Sequence, residues 1–127
     1  MNYGFSKITD LTYEDTIAKV TEELKKEGFG ILTTIDVKET MKIKLDKDFQ
    51  KYMILGACNP PFAFRALQAE EEIGLLLPCN IIVYAKDGKS VVAAFDPTVM
   101  TKFVDKPEIH DVAREMKTRL EHVLAAV

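Results

Sequence analysis

The sequence predicts one α+β domain, with about five strands in a single mixed or antiparallel sheet and helices mainly on one face. Three observations support this prediction. Apolar residues recur with a helical period over residues 13–26 and 109–127, and short β-branched or apolar runs lie between these segments. The length of 127 residues suits one domain, residues 1–127, and a hydrophobic content of 47% can build one core. The predicted order of elements is β-α-β-α-β-α-β-β-α.

The first two elements are predicted to be a strand over residues 2–9 and a helix after Thr12. Residues 2–9 alternate loosely between apolar and polar side chains. Thr12 can cap the helix that follows, and Gly28 can adopt the left-handed conformation that ends it. One face of this helix is apolar. That face is formed by Tyr13, Ile17, Val20 and Leu24.

The next three elements are predicted to be a strand, a helix and a strand. Residues 31–37 are apolar and β-branched, which is typical of a strand. Residues 38–46 alternate as in a strand and also repeat every four residues as in a helix. Their lysines and glutamate favour the helix. Residues 51–58 are largely apolar, which predicts a strand buried on both faces.

The second half is predicted to begin with a helix from Asn59 to Glu72, ended by Gly74. Asn59 is expected to cap that helix, because a proline follows it in the first helical turn. Asp87-Gly88 predicts the turn of a hairpin between strands at residues 81–85 and 90–95.

A long apolar stripe predicts the last helix, from Ile109 to Val127. Asp105 and Glu108 resemble a capping box at its start, with the aspartate accepting hydrogen bonds from the first-turn amides. Asp96-Pro97 ends the sheet before this helix, and a short helical turn is expected to follow it.

Charge and composition disfavour several classes of partner. The net charge is −3, and the basic pairs at residues 25–26 and 42/44 are short and flanked by acids, so no nucleic-acid partner is expected. The longest nearly apolar stretch, residues 74–85, contains a proline and is far shorter than the ~20 residues that span a bilayer, so no membrane partner is expected. Residues 1–7 contain no signal-peptide core. A cytoplasmic protein with reduced cysteines is therefore expected.

Neither a metal nor a cofactor is predicted. A structural zinc site needs about four Cys or His ligands, and the chain has two of each. His110 and His122 are twelve residues apart on one helix and point roughly 120° apart, so they cannot bind one metal together. No serine lies in the strand-turn-helix motif of hydrolases.

Chemistry is most plausible between Gly56 and Asn80, where each cysteine is followed by asparagine and lies close to proline. The first of these Cys-Asn pairs lies where a strand ends and a helix begins, a common place for ligands in α/β sheets. Arg65, on that helix, could reach a nearby anion, although a lone arginine more often faces water. Asp96 follows the fifth strand, where an Asx turn is its more common role. The candidate ligand-binding residues are Cys58, Asn59, Arg65, Cys79, Asn80 and Asp96.

Three interpretations of the cysteines are open: buried packing, which is favoured, then a reactive thiol, then metal binding. Cys58 is the candidate nucleophile, because a helix N-terminus lowers a thiol pKa. Two prolines at that helix start remove N–H groups and weaken this effect. Cys58 and Cys79 would lie at opposite ends of parallel neighbouring strands, or close together if the strands are antiparallel. The sequence alone does not choose between these arrangements.

The same segment resembles the domain of unknown function 302 family. The resemblance rests on residues 52–61 (YMILGACNPP) and 74–80 (GLLLPCN), and residues 28–33 and Asp96-Pro97 also fit. It covers nearly the whole chain. It implies a fold like that of the TATA-binding protein, a curved antiparallel sheet with helices on one side, and it implies a dimer. It implies no activity, and a shared fold does not confer DNA binding.

The leading hypothesis is a small homodimeric binding domain with a small-molecule site around the two Cys-Asn motifs. The consecutive leucines Leu75–Leu77 cannot all face one core, so they predict the homodimer contact. One alternative is a thiol-dependent redox or sulfur-transfer enzyme that uses Cys58 as nucleophile. A second alternative is a structural interaction module whose dimer surface is its function.

Overall fold

A five-stranded antiparallel sheet is the frame of the molecule in the computed structural model, which describes residues 1–127. The order across the sheet is β1-β5-β4-β3-β2, and every neighbouring pair is antiparallel. Of the two predicted arrangements, mixed and antiparallel, the antiparallel one is therefore confirmed. The strands are β1 (Gly4–Thr9), β2 (Gly30–Asp36), β3 (Tyr52–Cys58), β4 (Cys79–Lys86) and β5 (Lys89–Phe95).

Four α-helices and two short 3₁₀ helices connect and follow these strands. The predicted order of strands and α-helices is confirmed, including a helix at the ambiguous residues 38–46. None of the helices combines the length and apolar character that crossing a bilayer requires. The α-helices are α1 (Tyr13–Lys26), α2 (Val37–Leu45), α3 (Pro60–Ala69) and α4 (Pro107–Ala126), and the 3₁₀ helices span Glu71–Leu76 and Pro97–Lys102.

The hydrophobic core lies between one face of the sheet and the helices α1 and α4. Alternate residues of a strand point to the same face, and on β3, β4 and β5 one alternate set is almost fully buried. The apolar stripes of α1 and α4 pack against this set, so the predicted helical faces are confirmed. The core positions on the sheet are Leu55, Ala57, Cys79, Ile81, Val83, Val92 and Ala94.

The opposite face of the sheet has no helical layer, and we call it the open face. Tyr52 and Ile54 of β3 are only half-buried there, so the predicted burial of this strand on both faces is wrong. The rings of Tyr52 and Tyr84 stack on this face with centroids 5.4 Å apart. By strand alternation and register, the open face consists of Ser6, Ile8, Thr33, Ile35, Tyr52, Ile54, Asn80, Ile82, Tyr84, Lys86, Lys89, Val91, Ala93 and Phe95.

The predicted end of the third helix is wrong. Helix α3 ends at Ala69 rather than Glu72, because Glu70 has an extended backbone, and a 3₁₀ helix follows that contains Gly74. A distant residue stabilises this break: Lys106 donates a hydrogen bond to the Ala69 carbonyl at 2.9 Å and pairs with Glu70 at 3.0 Å.

The predicted capping box of the last helix is also wrong. Helix α4 starts at Pro107, and Lys106 occupies the cap position without a side-chain hydrogen bond. The Asp105 carboxylate instead lies 2.7 Å from His110 Nε2. Proline in the first turn has no N–H to be capped, so a capping aspartate has less to stabilise there.

Candidate functional site

The antiparallel pairing of β3 with β4 brings the two Cys-Asn motifs to the same end of the sheet. Ala57 lies directly opposite Cys79 in this pairing, so Cys58 and Cys79 are near neighbours. Helix α3 begins immediately after this end of β3, at Pro60. The arrangement left open by the sequence is therefore decided in favour of adjacent cysteines.

A cavity of about 290 Å³ opens at this end of the sheet, between β3, α3 and the segment that precedes β4. Both cysteines and Asn59 contribute to its wall, and nine of its twelve lining residues are hydrophobic. The apolar part of the wall comes from distant parts of the chain, including Phe29, Leu67, Leu77, Pro78 and Met116. Such an apolar wall with few polar groups is typical of small-molecule sites.

Burial governs the chemistry of both thiols. Cys79 is 2% exposed, and burial, followed by the proximity of Cys58, raises its pKa to about 12. Cys58 is half-buried, and desolvation raises its pKa as well. The lowered pKa that a helix N-terminus can confer is not found at Cys58, where desolvation raises the pKa instead.

Asn59 is the polar side chain of the cavity and is 4% exposed. It occupies the cap position of α3 but makes no side-chain capping bond, so the predicted capping role is wrong. Its Nδ2 instead donates to the Glu27 carbonyl at 3.3 Å, and Arg119 donates to the same oxygen at 3.1 Å. Gly28 makes room for this contact, because a Cβ there would lie 3.1 Å from Nδ2. The end of α1 thus positions Asn59.

The other three candidate residues lie outside this cavity. Asn80 is exposed and borders two hollows on or beside the open face. Arg65 donates from Nε to Glu108 at 2.7 Å on the helical side of the molecule. Asp96 accepts from the Thr98 amide at 2.9 Å, which confirms the Asx turn, and pairs with Lys117 at 3.1 Å. Only Cys58, Asn59 and Cys79 are brought together.

Sequence comparison gives the family. The model of the family described as domain of unknown function DUF302 matches residues 5–127. The chain belongs to the DUF302 family. A crystal structure of an uncharacterised conserved DUF302 protein from Bacillus stearothermophilus has a TM-score of 0.91 and 29% identity, over 99% of this chain and 98% of that chain. No curated protein is detectably similar in sequence to the present chain.

The resemblance inferred from the Cys-Asn motifs is thus confirmed for the DUF302 family, and so is the α+β fold with one antiparallel sheet. In this DUF302 domain, no three His, Cys, Asp or Glu side chains lie close enough together to hold a metal ion.

Sequence reasoning missed the apolar wall of the cavity in this DUF302 domain. Met116 belongs to the apolar stripe of α4, and nothing in that stripe distinguishes a cavity residue from a core residue. Leu32 lies at an irregularity of the β2–β3 pairing and is 69% exposed at the cavity wall. Leu32, an exposed leucine inside a strand, was the only local signal of the cavity. Its exposure can be recognised only once the register of β2 is known.

Proposed function

We propose that this DUF302 domain binds a small, largely apolar molecule in the cavity beside Cys58 and Asn59. The observation that carries the proposal is the cavity itself, about 290 Å³ with a mainly hydrophobic wall and one buried carboxamide. Ligand sites range over roughly 300–1,000 Å³ and bury most of a ligand in apolar surroundings. A cavity at the lower limit of that range fits a small molecule, such as one with a single ring.

The polar group of the ligand is a hydrogen-bond donor. Asn59 uses Nδ2 on the Glu27 carbonyl, which leaves Oδ1 as the acceptor of its carboxamide. A ligand with a hydroxyl or N–H group could donate a hydrogen bond to this oxygen. A ligand with an apolar body and one hydroxyl or N–H group therefore suits the site.

Binding is favoured over thiol catalysis by the state of the sulfurs. A nucleophilic cysteine reacts as the thiolate, which needs a lowered pKa and an accessible sulfur. Burial raises the pKa of both thiols, and Cys79 is 2% exposed. These features suit neutral thiols that line an apolar cavity. They support the binding hypothesis over the redox or sulfur-transfer alternative at Cys58.

We also propose that the domain acts as a homodimer in the cytoplasm. A reducing compartment, where disulfides are rare, would keep the neighbouring Cys58 and Cys79 as thiols. The homodimer distinguishes this proposal from a monomeric carrier. A homodimer is also compatible with the interaction-module alternative, in which the dimer surface rather than the cavity carries the function.

Indole, a planar apolar ring with one N–H donor, is a suitable probe of the cavity. We expect it to bind the wild-type chain and to shift the NMR signals of residues that line the cavity. Ala63→Leu places extra volume into the wall from α3 and should weaken binding by roughly tenfold or more. The matched control is Gln68→Leu, an exposed position of the same helix that does not line the cavity.

Equal indole affinity in the wild type, Ala63→Leu and Gln68→Leu would contradict the proposal. Signal changes confined to residues away from the cavity would contradict it too. Unfolding curves of all three proteins check that the extra side-chain volume has not simply destabilised the domain.

A further inference from the structure

We infer that the open face of the sheet is the contact between two copies of this chain, packed face to face around a two-fold axis. The helices that pack into the core cover one face of the sheet, whereas α2 contacts β2 and β3 without a buried residue. An apolar sheet face normally packs against a second layer, either helices or another sheet. Within the chain, Met1 and Tyr3 border a hollow over this face, and no helix or second sheet completes the layer. A second copy would supply one with the same geometry.

Apolar side chains cross the open face from one edge of the sheet to the other. Strand pairing aligns Ile35 with Ile54, Ile54 with Ile82, and Ile82 with Ala93, so one apolar row spans four strands. A second row runs through Ile8, Val91, Tyr84 and Tyr52.

The ends of these rows are well exposed. Ile8 is 65% exposed on the edge strand β1, and Ile35 is 48% exposed on the opposite edge strand β2. Tyr3, just before β1, is 63% exposed. Val91 and Ala93, in the middle of the rows, are only 6% exposed, so the exposed apolar surface lies at both edges of the face and around the half-buried Ile54, Ile82 and Tyr84. Exposed apolar surface of this kind marks an interaction site.

The size of the face suits a dimer contact. Strand spacing of ~4.8 Å and a rise of ~3.3 Å per residue give a projected area of about 24 Å by 20 Å, roughly 500 Å². Side-chain relief enlarges the surface further, and so does a hollow on the face itself between Tyr3, Tyr52 and Ile82. Stable dimers bury ~800 Å² on each partner, which is of the same order. Two such sheets pack ~10 Å apart with their strands ~30° from parallel.

The charge pattern selects a second copy as the occupant. Charged side chains on the open face are confined to its hairpin end, at Lys86 and Lys89. A two-fold axis brings the same surface against itself, so charges at its centre would meet like charges. These two lysines are paired opposite each other across β4 and β5, and Lys89 pairs with Asp10 at 3.2 Å. They lie at the rim of such a contact.

The inference moves the dimer contact away from the leucine run. Leu76 and Leu77 are half-buried, and Leu77 lines the ligand cavity. Leu75 is 83% exposed but lies in the 3₁₀ helix at the border of the open face, beside Asn80 and Phe95. A single exposed leucine at the border is a rim contact, whereas the isoleucine rows form the centre.

Sedimentation equilibrium of the full chain tests the inference. The wild type should have twice the 14.3 kDa chain mass at micromolar concentration. Ile8→Lys and Ile35→Lys should each raise the dimer dissociation constant by roughly tenfold or more, and Ile82→Lys by roughly a hundredfold. Phe64→Lys is the matched control: this residue is 64% exposed on α3, on the helical side, and should leave the mass unchanged.

A wild type of 14.3 kDa at these concentrations would overturn the inference. A dimer that survives all three isoleucine variants would overturn it too, and so would one that only Leu75→Lys dissociates. Ile8 and Ile35 are exposed, so their variants should fold even if the half-buried Ile82 variant does not, and circular dichroism checks this. Indole binding should persist in Ile8→Lys, so the cavity and dimer proposals can fail separately.

Discussion

Gly56 lies in β3 where β2 and the segment before β4 approach it most closely. A Cβ at this position would lie 2.1 Å from Thr33 Oγ1 and 2.9 Å from the Pro78 ring. The threonine side chain can rotate, but the proline ring cannot move without its backbone. Glycine is therefore required here by lack of space.

Gly56→Ala is expected to destabilise the domain by ~1–3 kcal/mol, the usual cost of overpacking a filled site. Urea unfolding measures the loss. Gly30→Ala is the matched control in the neighbouring strand β2, because a Cβ there meets nothing within 4 Å. Equal stability of Gly56→Ala and the wild type would show that β3 can shift to admit a methyl group.

Cys58 and Cys79 differ in burial, and this difference predicts different reactivity. In the native protein, alkylation of Cys58 should require a higher pH than a free thiol with a pKa of ~8.5, because desolvation raises its pKa. Cys79, with a pKa raised to about 12, should react only when the protein unfolds. Peptide mass spectrometry after pulsed alkylation across pH measures both. The denatured chain is the control, and there both thiols should react alike.

Alkylation of native Cys58 with an apparent pKa below that of a free thiol would contradict this prediction. It would also revive the enzyme alternative, because a thiolate at neutral pH is the nucleophile that the alternative requires.

At the scale of elements, the 3₁₀ helix Pro97–Lys102 depends on one side chain at its start. Asp96 Oδ1 accepts from the Thr98 amide at 2.9 Å and from its hydroxyl at 2.6 Å, while Oδ2 pairs with Lys117 of α4 at 3.1 Å. Burial alone would raise the pKa of Asp96, but the Thr98 and Lys117 hydrogen bonds outweigh it and lower this pKa. The carboxylate therefore joins the 3₁₀ helix to α4.

Asp96→Ala should cost ~0.5–2 kcal/mol of stability at neutral pH, as the loss of a cap does. A lowered native pKa means that the contribution is complete above the unfolded value of ~3.9 and is lost as the pH falls through the native pKa. The free energies of unfolding of the wild type and Asp96→Ala, measured with urea, should therefore differ less below about pH 4 than at neutral pH.

Asp105→Ala is the matched control for the Asp96 prediction. Asp105 contacts the exposed His110 and caps no helix, so its removal should cost less at neutral pH. If the difference in free energy of unfolding between wild type and Asp96→Ala stays constant down to pH 2, Asp96 stabilises the protein by packing rather than by charge.

At the scale of the whole molecule, stability is expected to be uneven. Strands β4 and β5 lie inside the sheet and supply much of the core, whereas α2 has no buried residue and β2 is an edge strand. Local opening is easiest where few apolar contacts must break. Amides of α2 should exchange first in hydrogen-exchange mass spectrometry, and those of β4 and β5 last.

The matched control for this exchange experiment is α1, a helix that packs into the core through Val20 and Leu24 and should be protected far better than α2. Equal protection of α1 and α2 would contradict the prediction. Protection of α2 that grows with protein concentration would contradict it as well, because such protection would mean that α2 is covered in an assembly.

The sequence by itself determined the elements whose signals are local. Helix α1 has its period, its Thr12 cap and its closing glycine within a few residues, and Thr12 accepts from the Asp15 amide as predicted. The hairpin turn was also predictable from the sequence: Asp87 and Gly88 both adopt the positive φ that such a turn needs. The Cys-Asn motifs sufficed for the DUF302 family.

Only the tertiary structure decided how distant segments meet. Antiparallel pairing made Cys58 and Cys79 neighbours, and Lys106 helped to end α3 through a contact 37 residues away. Phe29 and Met116, far apart in the sequence, line the same cavity, and the open face extends across the sheet from β1 to β2. Turns and helices follow from interactions within about four residues of the chain, and sequence patterns record these. Cavities and uncovered faces follow from long-range packing, which depends on strand order and register rather than on local pattern.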